Sequence, residues 1–324
     1  MKIYVTGAAG MIGSNLVRSL VAKGHSVVGV DNFWRGTRSN LEGIEGDFTF
    51  FEEDLTDSGI HCFDELGDND VLIHLADIVA GIGYVFANEW PVFQKNLLIN
   101  TAIASVVAGK KPSKLIYVGT ACSYPQGLQR SVESSVLKED DKFPADPESG
   151  YGWSKLMGEI EYRLLAKSGE TQLVVLDLHN VYGWPCEFSG ATSQVIPALI
   201  NRALETPGSL TVWGDGTQGR AFVHVDDVVS ALESAVSYEG SEGTIMIGPS
   251  SCTSIGEIAQ IVVSDSRTQS DAIEFDTSKP TGDIGRFADP SRAERELGWK
   301  PSVDIHRGIS DLIGKIDAAK RSQA

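Results

Sequence analysis

Cysteine, basic charge and long apolar runs are all scarce in this chain of 324 residues. The four cysteines, Cys62, Cys122, Cys186 and Cys252, stand far apart without CxxC or metal-ligand spacing, so no metal site is expected. Such sparse cysteines are typical of a protein in a reducing cytoplasm. Lysine and arginine number 27 against 44 aspartates and glutamates, and the formal net charge of -17 makes nucleic acid and anionic membranes unfavourable partners.

The apolar residues are too dispersed for a membrane protein. No run approaches the roughly 18 apolar residues of a spanning helix. The first residues, Met1 to Gly7, enter a strand-like run and a glycine turn, so no secretory leader is expected. Apolar residues make up 42% and charged residues 22% of the chain, as in ordinary globular proteins. The length predicts about two domains.

The first half of the sequence contains a regular alternation of predicted elements. Short apolar runs predict strands, and apolar residues spaced by three or four predict helices. The predicted strands cover residues 2–6, 26–30, 48–52, 70–75 and 114–118, and the main predicted helices cover 11–23 and 92–108. This alternation predicts an α/β fold, a Rossmann-type doubly wound parallel sheet with ligands at the carboxyl ends of its strands.

A glycine-rich turn, TGAAGMIG at residues 6–13, joins the first predicted strand to the first predicted helix. Its glycines permit a tight turn and a close approach of the backbone to a pyrophosphate at the helix N-terminus. Asp31 follows Gly13 by 18 residues, where a carboxylate accepts hydrogen bonds from a ribose diol and favours NAD. Arg35 and Arg38 would favour NADP instead if they gripped a 2′-phosphate. The turn predicts dinucleotide contacts for Gly7, Gly10, Met11, Ile12 and Gly13.

In the second half of the sequence the alternation loosens, and glycine and proline separate shorter elements. This change predicts a smaller mixed α/β lobe that closes on the edge of the sheet. We assign residues 1–176, rejoined by about 215–240, to the NAD-binding domain. Residues 177–214 and 241–324 are assigned to a substrate-binding lobe. The polar stretch from Ser264 to Asp289 is interpreted as a loop over the site.

The sequence YGWSK at residues 151–155 opens another predicted helix. Tyr151 and Lys155 are four residues apart and share a face of that helix. A lysine ammonium stabilises a phenolate, so the pKa of Tyr151 is expected to lie below its usual value of about 10. Such a tyrosine removes a hydroxyl proton during hydride transfer, and Thr120 is expected to hydrogen-bond the same hydroxyl. The alternative for the pair alone is a surface tyrosine beside a solvated lysine.

Further motifs give the chain a resemblance to a known family that covers nearly its whole length. They are HLA at 74–76, HNVYG at 179–183, WGDGTQGRAFVHVDD at 213–227 and ELGWKP at 296–301. With TGAAGMIG and YGWSK, they make the chain resemble the extended short-chain dehydrogenase/reductases of the nucleotide-sugar epimerase and dehydratase family. The resemblance implies NAD as cofactor, a nucleotide-diphosphate sugar as substrate, and a homodimer that rests on the helices around 92–108 and 151–167.

The resemblance also implies roles for individual residues. Thr120, Tyr151 and Lys155 would form the catalytic triad. Arg220 and Arg286 would grip the diphosphate, which guanidinium groups bind bidentately. Further cofactor contacts are implied for Asp54, Leu55, Leu75 and Ala76, and substrate contacts for Gly81, Ile82, Asn180, Gln194 and Val195.

The stretch GTACSYP at residues 119–125 separates the reactions within this family. Its dehydratases carry an Asp–Glu pair after the catalytic threonine, whereas Ala121 and Cys122 stand here, so dehydration by that route is disfavoured. The GDP-mannose 3,5-epimerase and GDP-fucose synthase groups carry a cysteine there, which implies that Cys122 exchanges protons beside a 4-keto carbonyl. Their lysine or histidine acid corresponds to Gln194, which leaves His179 or water as the acid.

These patterns favour an NAD-dependent nucleotide-sugar epimerase, with a GDP-sugar as first choice of substrate and C3 or C5 epimerisation by Cys122. A simple 4-epimerase or a 4-dehydrogenase/reductase, in which Cys122 is a packed small residue, is the alternative within the family. A non-catalytic dinucleotide-sensing module is the alternative from another class. Two departures from the family pattern are Asp177, at a usual arginine position, and Trp184, inserted before Pro185.

Overall fold

The computed structural model describes residues 1–130, 136–190, 192–240, 243–279 and 284–323. Its strands are β1 (Lys2–Thr6), β2 (Ser26–Asp31), β3 (Phe48–Glu52), β4 (Val71–His74), β5 (Lys114–Thr120), β6 (Val136–Leu137), β7 (Gln172–Leu178), β8 (Asn180–Tyr182), β9 (Gly208–Trp213), β10 (Gly219–Arg220), β11 (Phe222–His224), β12 (Gly243–Ile247), β13 (Thr253–Ser254), β14 (Ser270–Asp276) and β15 (Gly285–Ala288). Its helices are α1 (Met11–Ala22), α2 (Ile82–Ala87), α3 (Glu89–Lys110), α4 (Gly150–Ala166), α5 (Val195–Glu205), α6 (Val225–Ser237), α7 (Ile255–Val263), α8 (Ser291–Leu297) and α9 (Ile305–Gln323).

Within the described part of the chain, a seven-stranded sheet confirms the predicted doubly wound α/β fold. Its strand order is β12-β7-β5-β4-β1-β2-β3, and each neighbouring pair is parallel. All seven residues of β5 are buried, as expected for a strand that is covered on both faces. One face packs in an apolar cluster with α1 and α6, and the other face packs in a cluster with α3 and α4.

The remaining elements form a smaller mixed part. They include a four-stranded sheet of order β13-β10-β15-β6 and the strand pairs β11-β8 and β14-β9. Helices α5, α7 and α9 enclose a third apolar core, around Ile200, Ile258 and Ile313. Whether this part acts as a separate substrate-binding lobe stays a prediction.

Two segments lie differently from their expected positions. Strand β12 falls in the segment assigned to the lobe, but it is the edge strand of the central sheet, paired with β7. The stretch from Ser264 to Asp289 is not only a loop, because β14 pairs with β9 and β15 pairs with β10 and β6. Most side chains of β14 are exposed or only partly buried, so the apolar run that marks a buried strand is missing from its sequence.

A buried cluster of charges ties α4 to the central sheet. Lys142 lies 2.6 Å from Asp177 Oδ2 on β7 and also pairs with Glu159 on α4. The Tyr124 hydroxyl donates to Asp177 Oδ2 at 2.9 Å, and Arg163 Nε donates to Glu159 Oε1 at 2.9 Å. Burial raises the pKa of Asp177 to about 6 against the opposing charge of Lys142. The buried Lys142 therefore compensates two buried carboxylates, Asp177 and Glu159.

Replacing Lys142 by methionine is expected to lower the free energy of unfolding by about 3–5 kcal/mol, because the change leaves two buried carboxylates without a buried lysine. The measurement is urea denaturation followed by circular dichroism. Lys300→Met is the control, since Lys300 pairs with Glu294 at an exposed site and its loss should cost less than about 1 kcal/mol. Equal costs for the two variants would contradict the role of the buried cluster.

Candidate active site

A single cavity of about 1220 Å³ lies at the carboxyl ends of β1, β2, β4, β5 and β7. The architecture explains its place, because parallel strands bring the loops at their carboxyl ends to one edge of the sheet. Every site residue expected from the sequence lines this cavity: Gly7, Gly10, Met11, Ile12, Gly13, Asp31, Asp54, Leu55, Leu75, Ala76, Gly81, Ile82, Thr120, Cys122, Tyr151, Lys155, Asn180, Gln194, Val195, Arg220 and Arg286. The role of each remains a prediction.

The glycine turn packs too closely for side chains. A Cβ atom on Gly13 would lie 2.1 Å from the carbonyl oxygen of Gly7, so only glycine fits there. Helix α1 begins at Met11, directly after this turn. Its first backbone amides and its dipole favour an anionic group such as a pyrophosphate. The turn therefore fits the diphosphate of a dinucleotide.

Two carboxylates lie at the next strand ends along the cavity. Asp31 accepts hydrogen bonds from the backbone amides of Ala9 at 2.9 Å and Phe33 at 2.7 Å, which orients it at the end of β2. Hydrogen bonds from Thr56, Lys95 and Asn32 outweigh partial burial and hold the pKa of Asp54 well below its usual range. Asp54 is therefore anionic at neutral pH, whereas burial raises the pKa of Asp31 against its two backbone hydrogen bonds.

The two arginines that would favour a 2′-phosphate are committed elsewhere. Arg38 pairs with Glu52 and lies 5.1 Å from the ring centroid of Phe33. Arg35 Nη1 donates to the carbonyl oxygen of Val79 at 2.8 Å. These contacts, and the Asp31 carboxylate at the end of β2, support NAD over NADP.

Tyr151, Lys155 and Thr120 come together at the ends of α4 and β5. The first turn of α4 approaches the turn after β5 so closely that a Cβ on Gly152 would lie 2.2 Å from the carbonyl oxygen of Cys122. Thr120 and Tyr151 line the same cavity, and the Thr120 side chain is close enough to affect the pKa of Tyr151. Lys155 Nζ is buried and lies 4.6 Å from the ring centroid of Tyr117. The three side chains of the expected triad therefore lie in one cavity, and their catalytic roles stay a prediction.

The expectation of a lowered Tyr151 pKa was wrong. Burial first, and then the negative charge of Asp77, raise the pKa of Tyr151 well above its usual value. Asp77 Oδ2 lies 3.1 Å from Lys155 Nζ and accepts a hydrogen bond from the Tyr151 hydroxyl at 3.4 Å. The positive charge of Lys155 is thus paired with Asp77, a carboxylate to which the sequence motifs assigned no role.

Cys122 sits beside a buried guanidinium. Arg286 Nη2 donates to Cys122 Sγ at 3.2 Å, and Arg286 Nη1 donates to Gln129 Oε1 at 2.9 Å. Arg220 is the register partner of Arg286 on β10, so both arginines enter the cavity wall side by side. A positive charge beside a sulfur stabilises negative charge on it. The thiol therefore belongs to the polar wall of the cavity.

The candidates for an acid partner of Cys122 differ in character. Gln194 caps the start of α5 and carries no acidic proton. Neither ring nitrogen of His179 has a hydrogen-bond partner within the residues that the structure covers. Burial, and then the charge of Arg286, lower the pKa of His179 to about 3, so its imidazole is neutral at neutral pH.

Sequence reasoning missed one cavity residue, Asp77, and did not predict the contacts of two others, Arg35 and Trp184. Asp77 directly follows the HLA motif, so its position was the available signal. Arg35 was considered only for a 2′-phosphate, although it lies near Asp77 and Tyr151. The inserted Trp184 accepts a hydrogen bond on its carbonyl from Asn15 Nδ2 at 2.8 Å, and its ring stacks with Phe188 at 6.4 Å. It closes the cavity against α1.

The described residues lack two kinds of feature. No group of histidine, cysteine, aspartate and glutamate side chains there has the arrangement of a metal site. None of the helices there is both long and apolar enough to cross a membrane.

A family model supplies the decisive comparison. Residues 3–248 match the model of the "NAD dependent epimerase/dehydratase family". The chain belongs to this family. Membership confirms the resemblance drawn from the sequence motifs and confirms NAD as the family's cofactor.

Curated relatives of this family member act on different nucleotide sugars. A GDP-mannose 3,5-epimerase 1 of Oryza sativa subsp. indica is 27% identical over 311 residues, which cover 95% of this chain and 80% of the relative. A putative UDP-glucose 4-epimerase of Methanocaldococcus jannaschii is 29% identical over 314 residues, which cover 96% and 97%.

Solved structures of epimerases share the fold of this family member. A UDP-glucuronic acid 4-epimerase from Bacillus cereus, in complex with UDP-glucuronic acid and NAD, gives a TM-score of 0.82 at 28% identity, covering 98% of this chain and 100% of that one. A UDP-glucose 4-epimerase from Thermotoga maritima gives a TM-score of 0.87 at 23% identity, covering 99% and 100%, which shows the shared fold alone.

Gly13→Ala is expected to weaken NAD binding by at least about tenfold, or ~1.4 kcal/mol, because its new Cβ meets the Gly7 carbonyl in the turn. Isothermal titration with NAD measures the loss. Gly109→Ala near the end of α3 is the matched control, since a Cβ there meets nothing within 4 Å. Unchanged affinity in Gly13→Ala would exclude this turn as part of the cofactor site.

Proposed function

We propose that the protein is an NAD-dependent epimerase of a nucleotide-diphosphate sugar and acts through a transient 4-keto sugar. One observation carries the proposal: a single cavity holds the glycine turn, the Thr120, Tyr151 and Lys155 group, and the arginines Arg220 and Arg286. The first set fits a dinucleotide, the second suits proton exchange at a sugar hydroxyl, and the third suits a diphosphate.

The cofactor would be held by the turn and by the carboxylates after it. Gly7, Gly10, Met11, Ile12 and Gly13 would surround the pyrophosphate, Asp31 would bind the adenosine ribose, and Asp54, Leu55, Leu75 and Ala76 would line the rest. Bound NAD supplies a hydride acceptor and donor, and its oxidised ring brings a positive charge. Such a charge favours ionisation of Tyr151, whose pKa is otherwise raised by burial and by Asp77.

Proton exchange at the C4 hydroxyl would fall to Tyr151. Its phenolate takes the proton as the C4 hydride leaves, and its phenol returns the proton when the hydride comes back. Thr120 would orient the sugar hydroxyl beside Tyr151, since both side chains line the cavity. Asp77 Oδ2 lies 3.1 Å from Lys155 Nζ and would hold the ammonium near the phenol.

The substrate diphosphate would lie against Arg220 and Arg286. A protein with a formal charge of -17 repels a dianion over most of its surface, so binding needs local cations. Both arginines are buried in the cavity wall, where charge-assisted hydrogen bonds are strong. Gly81, Ile82, Asn180, Gln194 and Val195 would contact the sugar, and all of them line the same cavity.

Cys122 would exchange a proton at C3 or C5 of the 4-keto sugar. Arg286 Nη2 donates to Cys122 Sγ at 3.2 Å, so a guanidinium faces the sulfur that would take the proton. The rice relative named a GDP-mannose 3,5-epimerase supports this reaction and a GDP-sugar substrate. A water molecule would then supply the proton on the opposite face, because burial keeps the imidazole of His179 neutral.

A simple 4-epimerase is the second candidate. It is favoured by Gln194, which offers no acid opposite Cys122, and by the Methanocaldococcus jannaschii relative named a putative UDP-glucose 4-epimerase. In that case Cys122 only fills the turn after β5, and the keto sugar rotates between the two hydride transfers.

The surroundings of the site support two further parts of the proposal. Residues 177–214, with most of the chain after β12, would form the substrate-binding lobe that completes the cavity with Gln194 and Arg286, and Arg220 would join them from the segment 215–240. The four cysteines are all free, which supports a reducing location such as the cytoplasm.

A homodimer would rest on α3 and α4. Leu98 on α3 and Leu164 on α4 are 52% and 59% exposed, and Met157 and Ile160 on α4 are also exposed. Met157 and Leu164 are seven residues apart, so they lie on one helix face. Burial of such an apolar face against a second copy would remove it from water.

The two candidate reactions separate in heavy water. With its substrate, the wild-type protein is expected to incorporate deuterium at C3 or C5, and Cys122→Ser is expected to lose that exchange while hydride transfer at C4 continues. Tyr151→Phe should lower both by about 10²–10⁴-fold, because without the tyrosine no keto sugar forms. Mass spectrometry and NMR of the recovered sugar measure the exchange.

Cys62→Ser is the matched control, because Cys62 is buried in the core away from the cavity. Turnover without any exchange in the wild-type protein would leave only the 4-epimerase. No turnover with any of a panel of GDP- and UDP-sugars would reject the proposed function.

Leu98→Glu with Leu164→Glu is expected to convert a dimer to a monomer, because two carboxylates would enter the apolar contact on each side. Analytical ultracentrifugation gives the mass in solution. Val136→Glu, which changes an exposed apolar residue on β6, should leave the mass unchanged. A wild-type protein that sediments as a monomer of 34.8 kDa would refute the dimer.

A further inference from the structure

Asp77 is a carboxylate at the centre of the cavity for which the residue pattern gives no role. It follows β4 and the pair Leu75 and Ala76, whose backbone amides both donate to Thr6 Oγ1 at 3.1 Å. These bonds fix the loop after β4 to the end of β1. The side chain of Asp77 is only 11% exposed, so it is held rather than free in solvent.

One oxygen of Asp77 contacts two residues of α4. Oδ2 lies 3.1 Å from Lys155 Nζ and accepts the Tyr151 hydroxyl hydrogen bond at 3.4 Å. The lysine therefore has a counterion, and the phenolic hydrogen has an acceptor, before any substrate enters.

The other groups around the Tyr151 phenol come from several elements. Thr120 at the end of β5 and Cys122 in the following turn are both close enough to affect the pKa of Tyr151. Arg35, from the loop after β2, is close enough to interact electrostatically with Tyr151 and Asp77. Lys155 lies one turn along the same helix. The charged groups around the phenol are thus the cations of Lys155 and Arg35 and the carboxylate of Asp77. Asp77 accepts the phenolic hydrogen directly.

We infer that Asp77 is a positioning residue that holds the Lys155 ammonium and keeps the proton on Tyr151 until a further positive charge enters the cavity. This inference rests on the proposed function, in which Tyr151 exchanges a proton with the sugar. With Asp77 beside it, Tyr151 stays protonated while the cavity is empty. Tyr151 becomes a base only when the cavity is occupied. A tyrosine that is neutral at rest cannot deprotonate water or a stray alcohol in the empty cavity.

The test is a titration of Tyr151 by NMR. Protein labelled with ¹³C at tyrosine Cζ is titrated after any bound nucleotide has been removed, and Tyr151→Phe identifies the Tyr151 resonance among the eight tyrosines. The wild-type resonance is expected to remain that of a neutral phenol at about pH 10, the ordinary midpoint. Asp77→Asn removes one negative charge and frees Lys155, so the midpoint should fall by about one to three pH units.

Three variants control this experiment. Glu233→Gln removes a carboxylate from an ion pair with Lys23 outside the cavity and should leave the Tyr151 midpoint unchanged. Asp77→Glu keeps the charge and should also titrate like the wild type. Asp77→Ala supplies a second neutral variant if circular dichroism shows that Asp77→Asn does not fold. Equal midpoints in the wild type and the neutral variants, or an equal drop in Asp77→Glu, would overturn the inference.

The pH dependence of kcat/KM gives the functional counterpart. The limb that reports Tyr151 should move to lower pH in Asp77→Asn, whereas a merely structural role would lower the rate equally at every pH. If no nucleotide sugar is turned over, the proposed function fails, but the NMR titration still decides the role of Asp77.

Discussion

The site depends on one constraint, the shared direction of the strands in the central sheet. Because β1, β2, β4, β5 and β7 run parallel, the residues that follow them meet at one edge. Gly7, Asp31, Asp77, Thr120 and His179 each stand at such a strand end or just beyond it, far apart in sequence. The register is fixed because the strands are buried on both faces, and a shift of one residue would turn every side chain to the wrong face. The chemistry of the cavity is thus a consequence of topology.

The second theme is compensation of charge inside an acidic protein. Lys142 pairs with Asp177 and Glu159, Lys155 pairs with Asp77, and Arg286 donates to Cys122. A buried cation without a partner would be costly, whereas these are matched and hydrogen-bonded. The cations that face the cavity are consequently already engaged before a ligand arrives. In the proposed function, a diphosphate would share Arg286 with Cys122.

The sequence was sufficient where local patterns carry the information. The glycine turn, the buried strands and the Tyr151–Lys155 spacing follow from short-range chemistry, and the fold and cavity lining agree with them. The sequence was insufficient where contacts between distant residues determine a pKa or the place of a strand. The pKa of Tyr151 depends on burial and on Asp77, which is 74 residues away in the chain. Strand β14 has a polar sequence because few of its side chains are buried, so it lacks the apolar run that would have predicted it. The edge position of β12 depends on its pairing with β7.

The Lys142–Asp177–Glu159 cluster has a consequence for exchanging parts between members of this family. Suppose that a relative carries arginine at the position of Asp177. A strand grafted from that relative would place a guanidinium beside Lys142, and two buried cations would repel each other. Residues 142 and 177 therefore have to be transferred together. Chimeric enzymes with crossover points between residues 142 and 177 should therefore be assembled from parents that agree on the sign of both charges.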